Sequence, residues 1–513
     1  MAKSPKTPTH NVSVTTIDHG ASIATNAAAD PGYESRTYSE MSQRWHLPET
    51  LMGGTTAMRA AGARYLPQDD KESDGAWAAR LHRSFLFNAF RKTVRGMTGK
   101  VFSKPILLKE DVPQAIAEMC EDVDREGRKL NLFAEEVFQT AMEYGLSHIL
   151  VDMPESTVPN PTLADDIREK RRPYLVHIKP RALIGFRSRK VGSQQVLTAI
   201  RIKEVTMEED GAYGEREVIR VREITQTSWT LWVQDPKDGS WALEKEGPMT
   251  LGLIPLVTVY TNRTGFMLAE PPLEDLAWMN VAHWQSSSDQ RNILHVARVP
   301  ILFSSGLGED ADKLIIGPNR HIKGPENSKM GYVEHTGAAI DSGRNDLLDL
   351  QDYMRLMGLE LLMPLNGGGQ TATAKSLDYA DANSPLQSMA MSLQDKLDLA
   401  LHYAALWMKL PSGGHTKVNT DFGITLRDAA DVQGLIQARM GGLISSETFW
   451  AELKRRNILS EDFDPAAETI LLDEETKADL ERALTTMRAK TTPPETAPGG
   501  VPNIGSDVSG EDA

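Results

Sequence analysis

Cysteine is almost absent from this chain of 513 residues, in which Cys120 is the one thiol. A single cysteine cannot form a disulfide within the chain or supply a cluster of thiolate ligands for a metal. Apolar runs of roughly 18 or more residues are also lacking, and the first residues have no apolar core of the kind found in a secretory signal. These absences exclude a disulfide scaffold and a membrane-spanning helix, and they predict a protein that stays in the cytoplasm.

Positive charge is in short supply, since 56 Lys and Arg residues stand against 71 Asp and Glu residues and the formal net charge is −15. Neutralising DNA phosphates requires clustered Lys and Arg, so this composition disfavours a protein that reads a DNA sequence. An acidic protein can still form a channel for DNA, because an acidic wall repels the DNA and so does not retain it as it passes. The length predicts about three or four lobes instead of one compact core.

Motifs for catalysis and metal binding are incomplete. The segment from Gly369 to Lys375 and Ser376 lacks one glycine of a phosphate-binding loop and follows a predicted helix where that loop requires a strand. Asp122 opens a sequence like a calcium loop, but Phe133 occupies the position of the bidentate glutamate. The 12 histidines are scattered, with no HExxH pair. We therefore predict no catalytic residue, no cofactor and no metal site.

Helical and strand-like patterns alternate along the first half of the chain. Residues 1–32 and 491–513 are polar and rich in Pro and small residues, which predicts a flexible arm and a disordered tail. Residues 38–105 have helical spacing, and one helix is predicted to carry Leu81, Phe85, Phe87, Phe90 and Val94. Two further helices are predicted within residues 114–147.

Strand-like patterns follow. Short β-type runs cover residues 148–151 and 174–178, and two hairpins are predicted with turns at residues 208–211 and 235–239. An antiparallel sheet packed with helices is the expected result. Pro271 and Pro272 then open a helix that Pro300 closes, followed by a glycine-rich, strand-like segment at residues 301–336.

The most informative stretch begins at Asp341. Five apolar residues recur at steps of three and four, which predicts a helix with one apolar seam: Leu347, Leu350, Met354, Met357 and Leu361. At about 100° per residue, the carboxylates fall on the other side. These carboxylates are Asp346, Asp349 and Glu360, with Asp341 and Asp352 further round. One face is expected to pack against protein while the other presents negative charge.

A glycine-rich break and a second helix complete this stretch. Consecutive glycines at 367–369 interrupt the helical pattern, because ordering them in a helix loses the most chain entropy. Beyond Pro385 an apolar face runs to Leu410, a helix on the order of 37 Å long. Lys375, at the end of the break, is interpreted either as a phosphate contact or as a solvated lysine of the first helical turn. Residues 416–426 are a strand candidate, and residues 431–457 form a helix interrupted at 441–442.

Three strings, in this order, point to a known family: AMEYGLSHILVDMP at 141–154, RPYLVHIKPRALIGFR at 172–187 and PLVTVYTNRTGF at 255–266. Together with the series of helix, small module, helix, loop and long helix, they resemble the portal proteins of tailed bacteriophages. Within portals the likeness is to a subgroup catalogued only as an uncharacterised domain family. The resemblance covers residues 38–475.

The resemblance implies an α+β, predominantly helical subunit with portal-like architecture that assembles as a ring. Its parts would be a flexible N-terminal arm (1–37), a wing of helices and antiparallel sheet (38–265), a first stem helix (266–300), a clip (301–338), a second stem helix (339–363), a tunnel loop (364–376), a long kinked helix returning to the wing (377–426), a crown (427–490) and a disordered tail (491–513). The channel-lining residues would be Asp346, Asp349, Asp352 and Glu360. The tunnel loop would contain Asn366, Gly367, Gly368, Gly369, Gln370, Thr371 and Lys375.

Portal proteins form dodecameric rings at one capsid vertex, and the resemblance implies that role here, in DNA packaging and ejection. The implied partners are other copies of this chain, the major capsid protein and scaffold, the large terminase, a head–tail adaptor and double-stranded DNA that passes without sequence recognition, and no membrane. The implied location is the virion, after assembly in the cytoplasm of the host bacterium. Two alternatives stay open from the residues: a soluble intracellular enzyme with an acidic cleft, and an oligomeric scaffold without a channel.

Overall fold

The computed structural model describes residues 30–156, 158, 163–297, 301–305, 327–333, 338–359, 372–420, 422, 429–455, 458–460 and 463–491. The chain divides into two compact units, Met1–Phe422 and Gly423–Ala513. Helix accounts for 49% of the structure and strand for 23%, which confirms the prediction of a mixed fold with more helix than strand.

Twelve α-helices lie in the described part of the chain. They are α1 (Arg36–Ala61), α2 (Asp74–Arg83), α3 (Ala89–Val101), α4 (Gln114–Cys120), α5 (Leu130–Tyr144), α6 (Leu163–Arg168), α7 (Glu274–Ala297), α8 (Ala338–Met354), α9 (Ala372–Trp407), α10 (Ala429–Met440), α11 (Ser446–Arg455) and α12 (Pro465–Thr491). A π-helical turn, Arg355–Leu359, extends α8.

The described strands are β1 (Leu107–Leu108), β2 (Leu146–Asp152), β3 (Tyr174–Ile178), β4 (Leu183–Val191), β5 (Gln194–Asp210), β6 (Gly214–Thr225), β7 (Ser228–Gln234), β8 (Trp241–Pro248), β9 (Leu256–Tyr260), β10 (Arg263–Gly265), β11 (Leu268–Ala269), β12 (Ile301–Ser305), β13 (Lys329–Val333) and β14 (Thr416–Lys417). They pair antiparallel into a five-stranded sheet, β4-β5-β6-β7-β8, a three-stranded sheet, β3-β2-β9, and three two-stranded pairs. Both predicted hairpins, β5–β6 and β7–β8, are confirmed. Within the strand candidate at 416–426, Thr416 and Lys417 pair with β1, residues 418–420 and 422 are not in a strand, and residues 421 and 423–426 lie outside the described residues.

The N-terminal helices begin where polar side chains cap them. Ser35 Oγ accepts from the Tyr38 N–H at 3.2 Å, and Ser73 Oγ accepts from the Ala76 N–H at 3.3 Å. Residues of the predicted flexible arm are already held in place before α1, since the Ser35 N–H donates to the Ile184 carbonyl of β4 at 2.9 Å. Arg201 also donates to the Pro31 carbonyl at 2.9 Å, so the chain is ordered against the sheet from this point.

The prediction that one helix carries Leu81, Phe85, Phe87, Phe90 and Val94 is wrong. The helix stops at Arg83 and a new one starts at Ala89, because Asn88 Oδ1 accepts from the Arg91 N–H at 2.9 Å and so caps α3. Residues 84–88 connect the two helices, and Phe85 and Phe87 lie there with 43% and 39% of their surface exposed. The apolar spacing alone could not show this break, since a cap is a local hydrogen bond.

The main core lies where α1, α3, α5, α7 and α9 pack around the three-stranded sheet. On α9 the predicted apolar face is confirmed: Leu386, Ala390, Leu393, Leu397, Ala400, Leu401 and Ala404 are all buried. Trp407 closes this face by donating its indole N–H to the Val151 carbonyl of β2 at 3.1 Å. Helix α9 is therefore anchored in the main core of the first unit.

Helix α9 also begins earlier than predicted. It starts at Ala372 and continues through Pro385 to Trp407. A proline removes one backbone donor and kinks a helix, but packing of the residues that follow it can keep the helix continuous. Lys375, predicted in the tunnel loop, thus lies in the first turn of α9. The other tunnel-loop residues, Asn366, Gly367, Gly368, Gly369, Gln370 and Thr371, lie outside the described residues, as do Glu360 and Leu361.

The segment between α7 and α8, predicted to be strand-like, contains a two-stranded pair. β12 and β13 are antiparallel, with Ile301 opposite Val333 and Ser305 opposite Lys329. Residues 306–326, between the two strands, lie outside the described residues. Helix α7 starts at Glu274, after the two prolines predicted to open it.

The apolar seam of α8 changes register at its C-terminal end. Leu347 and Leu350 are half-buried and Met354 is fully buried, as predicted, but Met357 is 47% exposed. A π-helical turn contains more residues per turn than an α-helix, so Gly358 takes the buried position that regular spacing assigns to Met357. A Cβ atom on Gly358 would lie 2.7 Å from Leu276 Cδ2 of α7 and 3.0 Å from Thr93 Cγ2 of α3.

Replacing Gly358 by Ala is therefore expected to lower the free energy of unfolding by about 1–3 kcal/mol, because the new methyl group overpacks the contact between α3 and α7. Gly99→Ala is the matched control, since a Cβ atom at Gly99 of α3 meets no atom within 4 Å. That change is expected to stabilise the protein by about 0.5–1 kcal/mol. Urea denaturation of both variants measures the difference, and equal stabilities would contradict close packing at Gly358.

The second unit consists of α10, α11 and α12. α10 and α11 are separated at residues 441–445, which confirms the predicted interruption at Gly441 and Gly442. Trp450 packs edge-on against Phe463, with 6.0 Å between the ring centroids. α12 extends for 27 residues and exposes its leucines, including Leu480 and Leu484.

Candidate functional site

The predicted channel-lining helix, α8, packs along α7 through polar contacts as well as apolar ones. Gln290 of α7 donates to the Ile340 carbonyl at 2.7 Å, and Ser286 Oγ donates to Asp346 Oδ2 at 2.5 Å. Further along, the Gln351 amide lies 3.1 Å from His283 Nε2. These contacts fix the rotation of α8 about its axis and thus decide which carboxylates face away from the protein.

The opposite side of α7 packs against the N-terminal helices. Asn280 Oδ1 accepts from the Phe90 N–H of α3 at 3.0 Å, and Ser288 Oγ lies 2.8 Å from Ser84 Oγ. α7 is therefore held between the N-terminal helices on one side and α8 on the other. This arrangement makes α8 the outermost of the three layers.

The predicted stripe of carboxylates divides into two sets in the structure. Asp346 lies at the edge of α8, where it accepts the hydrogen bond from Ser286 of α7. Asp349 and Asp352 are exposed on the face turned away from α7, and Asp341 joins them at about 100° of rotation per residue. We call Asp341, Asp349 and Asp352 the outward carboxylates. Glu360, the fourth predicted residue, lies outside the described residues.

Charge on the outward face is only partly neutralised. Arg355 donates to Asp352 at 2.6 Å, with both side chains more than half exposed. Asp349 and Asp341 have no ion pair within the part of the chain that the structure describes. An exposed pair such as Arg355–Asp352 contributes at most about 1 kcal/mol, so its role in stability is small. The outward face remains acidic and free to meet another molecule.

A groove beside α7 contains residues that the sequence analysis did not single out as a site. Phe85 and Phe87 border it, together with Arg83, Arg291 and Leu347. The Arg291 guanidinium carbon lies 3.9 Å from the centroid of the Phe85 ring, a cation–π contact. The sequence offered no signal for this groove, because both phenylalanines fitted the helical pattern that Asn88 interrupts.

One buried cluster bears on the enzyme alternative. Ser147 Oγ lies 2.8 Å from His177 Nε2, and His177 Nδ1 lies 3.3 Å from Glu136 Oε1. These are the atoms of a nucleophile, base and acid series, and their sequence positions gave no sign of it. Ser147 is fully buried on the central strand β2, so a substrate has no access to its hydroxyl. Burial also lowers the pKa of His177, against the pull of Glu136. The cluster connects α5 to the sheet.

A second buried cluster contains two glutamates. Arg181 binds Glu49 with both nitrogens at 2.6 Å, and the Tyr144 hydroxyl donates to the same carboxylate at 2.7 Å. Burial, with the charge of Glu49 nearby, raises the pKa of Glu143 to about 7. The folded state therefore binds a proton that the unfolded chain releases at a pKa near 4.5.

This raised pKa predicts that the free energy of unfolding falls as the pH rises from about 4.5 to 7, because the folded state retains the Glu143 proton over that interval. Glu143→Gln imitates the protonated form. We expect it to stabilise the protein at about pH 8 by on the order of 2 kcal/mol more than at about pH 5. Urea denaturation at both pH values provides the measurement, with Glu135→Gln on the same helix as control. Equal gains at both pH values would contradict the raised pKa.

Within the described residues, no group of three or more His, Cys, Asp or Glu side chains could hold a metal ion. In that same part of the chain, none of the helices has the length and apolar character needed to cross a membrane. Cys120 is buried, and burial raises the pKa of its thiol to about 12. It is thus an inert core residue.

A family profile matches the part of the chain that contains α7 and α8. The profile, described as "Domain of unknown function (DUF4055)", matches residues 272–408, which include α7, the β12–β13 pair, α8 and all of α9. The match spans less than half of the chain. A comparison with curated proteins finds no match.

Similar solved structures come from gene transfer agent (GTA) particles. A chain of the neck of the native particle, computed with C12 symmetry, is 12% identical, with 71% of this chain and 89% of that chain covered and a TM-score of 0.38. A chain of the neck of the empty particle, computed with C6 symmetry, is 12% identical over 74% and 88%, with a TM-score of 0.38. A chain of the virion of the native particle is 13% identical over 79% and 98%, with a TM-score of 0.39. These scores are too low to infer a shared fold.

Proposed function

We propose that this chain is the portal protein of a tailed bacteriophage or a phage-like particle. Twelve copies would form a ring at one capsid vertex, and DNA would pass through the ring during packaging and ejection. In this proposal the chain has a structural role and no catalytic residue. The large terminase and later a head–tail adaptor would dock on the β12–β13 module, and the major capsid protein and scaffold would surround the ring.

The observation that carries the proposal is the excursion formed by α7, the β12–β13 pair and α8. The chain leaves the body along α7, forms a small two-stranded module and returns along α8, which packs against α7 and keeps Asp349 and Asp352 exposed. The order of these parts fits the sequence resemblance to portals. A ring lined by this acidic face would repel DNA phosphates and prevent adsorption.

Proposed partners follow from the charges. Double-stranded DNA carries one negative charge per about 1.7 Å of its axis, so outward carboxylates would keep it moving without sequence recognition. Glu360 remains part of the proposal as a channel-lining residue, and residues 364–376 remain the proposed tunnel loop. Lys375, in the first turn of α9, is proposed either to contact phosphate or to be a solvated helix residue.

Negative-stain imaging and native mass spectrometry of the purified protein test the proposal. We expect closed rings with a central hole and a mass close to that of twelve 56.6 kDa chains. Head-to-tail contacts between two different surfaces generate such rings. A protein that stays monomeric at high concentration, or a compact oligomer without a hole, would contradict the portal proposal.

A further inference from the structure

Two grooves lie on opposite sides of the α7–α8 pair. α7 packs against the N-terminal helices on one side and against α8 on the other. Two further sides of α7 lie between these contacts, and each of them borders one groove. Ser287, Arg291 and Leu294 line one flank, while Ala282, Asp289 and Ile293 line the other. At about 100° per residue these two sets point in nearly opposite directions.

The first groove, here called the basic groove, has a volume of about 560 Å³ and is bordered by Arg83, Phe85, Phe87, Arg291, Leu294 and Leu347. None of its lining residues is acidic. Arg291 lies on the Phe85 ring and has no ion pair among the described residues, so its N–H groups remain available. Phe85 and Phe87 leave 43% and 39% of their surface in water, an exposure that a partner would remove.

The second groove, here called the acidic groove, has a volume of about 430 Å³ and is bordered by Ser286, Asp289, Ile293, Gly343, Asp346 and Leu350. The Asp289 side chain is 60% exposed, and its partner Arg80 at 3.1 Å also binds Glu72 at 2.7 Å, so negative charge remains in excess. Asp346 is exposed and accepts a hydrogen bond from the Ser286 hydroxyl, with no ion pair among the residues that the structure describes. Ile293 and Leu350 add apolar surface between the carboxylates.

We propose that the basic groove of one copy of this chain binds the acidic groove of the next copy. Arg83 and Arg291 of one subunit would face Asp289 and Asp346 of its neighbour, and the phenylalanines would cover the apolar part of the acidic groove. This inference deepens the proposed function, since it names the surfaces that would close the ring.

The charges favour this partner over others. A two-fold dimer would place each groove against the same groove of its partner, and the resulting contact between like charges disfavours that arrangement. Head-to-tail pairing gives each charged side chain an opposite partner and repeats in one direction, as a ring requires. DNA is a weaker candidate for the basic groove, because a phosphate backbone has no apolar surface to cover Phe85 and Phe87 and would leave the acidic groove unpaired.

Charge reversal tests the pairing in the full-length protein. Arg291→Glu alone and Asp346→Arg alone each place like charges across every contact, and each is expected to raise the protein concentration needed for assembly by roughly tenfold or more. The double variant with both changes restores an opposite pair at every contact and is expected to assemble like the original chain. Arg189→Glu, the same change on exposed β4, is the control and should assemble normally.

A cross-linking experiment tests the same pairing without relying on the charge-reversal variants, whose folding the substitutions could disturb. Arg83→Cys and Asp346→Cys are introduced together and treated with a bismaleimide. Cys120 is buried, so it should not react. Denaturing electrophoresis should then show a ladder of multimers, whereas either single variant should yield none.

The results separate this inference from the ring itself. If the original chain forms rings and both single reversals form them equally well, the groove pairing is wrong while the ring stands. If the original chain stays monomeric, the portal proposal fails first. Rings that persist in Arg291→Glu but lose retention of double-stranded DNA on a filter would assign the basic groove to DNA and overturn the pairing. Rescue by the double variant supports it.

Discussion

Replacing residues 306–328 by the dipeptide Asn-Gly is expected to leave the protein folded and to abolish docking of the packaging motor. Ser305 and Lys329 form the last pair between β12 and β13. A two-residue Asn-Gly loop joins such a pair in a type I′ turn, whose twist matches that of the strands. The shortened chain therefore keeps both strands and both helices that lead to them.

The physical reason for a selective loss is that β12 and β13, the strands on either side of the removed segment, lie between α7 and α8 and add no described side chain to the main core. The residues of the main core lie mainly on α1, α3, α5, α7, α9 and the three-stranded sheet, and none of the side chains that the structure describes on β12 and β13 belongs to it. The thermal midpoint should therefore change little. If this module is the docking surface, binding of the packaging motor should be lost. Pull-down of the large terminase measures the binding directly, and the yield of DNA-filled particles measures its consequence.

The control keeps the segment and changes another exposed hairpin. Replacing residues 211–213 by Asn-Gly shortens the β5–β6 turn next to the pair Asp210–Gly214, and motor binding should then be normal. Normal packaging by the variant shortened at 306–328 would show that the motor docks elsewhere on the protein.

Changing the outward carboxylates Asp341, Asp349 and Asp352 to Lys is expected to leave assembly intact and to slow DNA passage strongly. These side chains face away from α7, so the apolar seam of Leu347, Leu350 and Met354 is untouched. A wall of lysines would attract phosphates, and with a Debye length of about 8 Å at physiological salt this attraction reaches passing DNA. Added salt should partly restore the rate.

Two matched variants separate charge from position. The Asn variant of the same three residues removes negative charge without adding positive charge and should have an intermediate effect. Lys at Glu209, Asp210 and Glu215, which are exposed at the β5–β6 turn, makes the same change in net charge and should leave DNA passage normal. If the α8 variant is present in particles and passes DNA normally at low salt, the outward face does not line the channel.

Much of the element order followed from local signals in the sequence. Alternating residues predicted the hairpins β5–β6 and β7–β8, and the spacing of Leu386, Leu393 and Leu397 predicted the buried face of α9. β4 and β9 were not predicted as strands. β9 is a short run, Leu256–Tyr260, in which Thr258 lies between apolar residues on both sides, and so short a run cannot be assigned from periodicity alone. The β-propensity of individual residues is a weak guide where a strand forms because both of its faces are buried.

The candidate site was predictable only in part. Helical spacing placed Asp349 and Asp352 opposite the apolar seam, and the structure agrees. Asp346 was grouped with them, yet the rotation of α8 against Ser286 turns it to the edge of the helix pair. The register change at Gly358 depends on contacts with Leu276 and Thr93, which are about 80 and 260 residues away in the sequence and leave no local signal.

The sequence by itself determined composition, charge and the order of helices and strands, because these depend on neighbouring residues and on the periods of helix and strand. Only the tertiary structure decided which side of the α7–α8 pair each charged side chain occupies. Arg291 and Asp289 are two residues apart, yet they face opposite grooves because α8 and the N-terminal helices hold α7 from two sides. Packing between distant segments sets the rotation of a helix, and rotation decides which side chains can meet a partner.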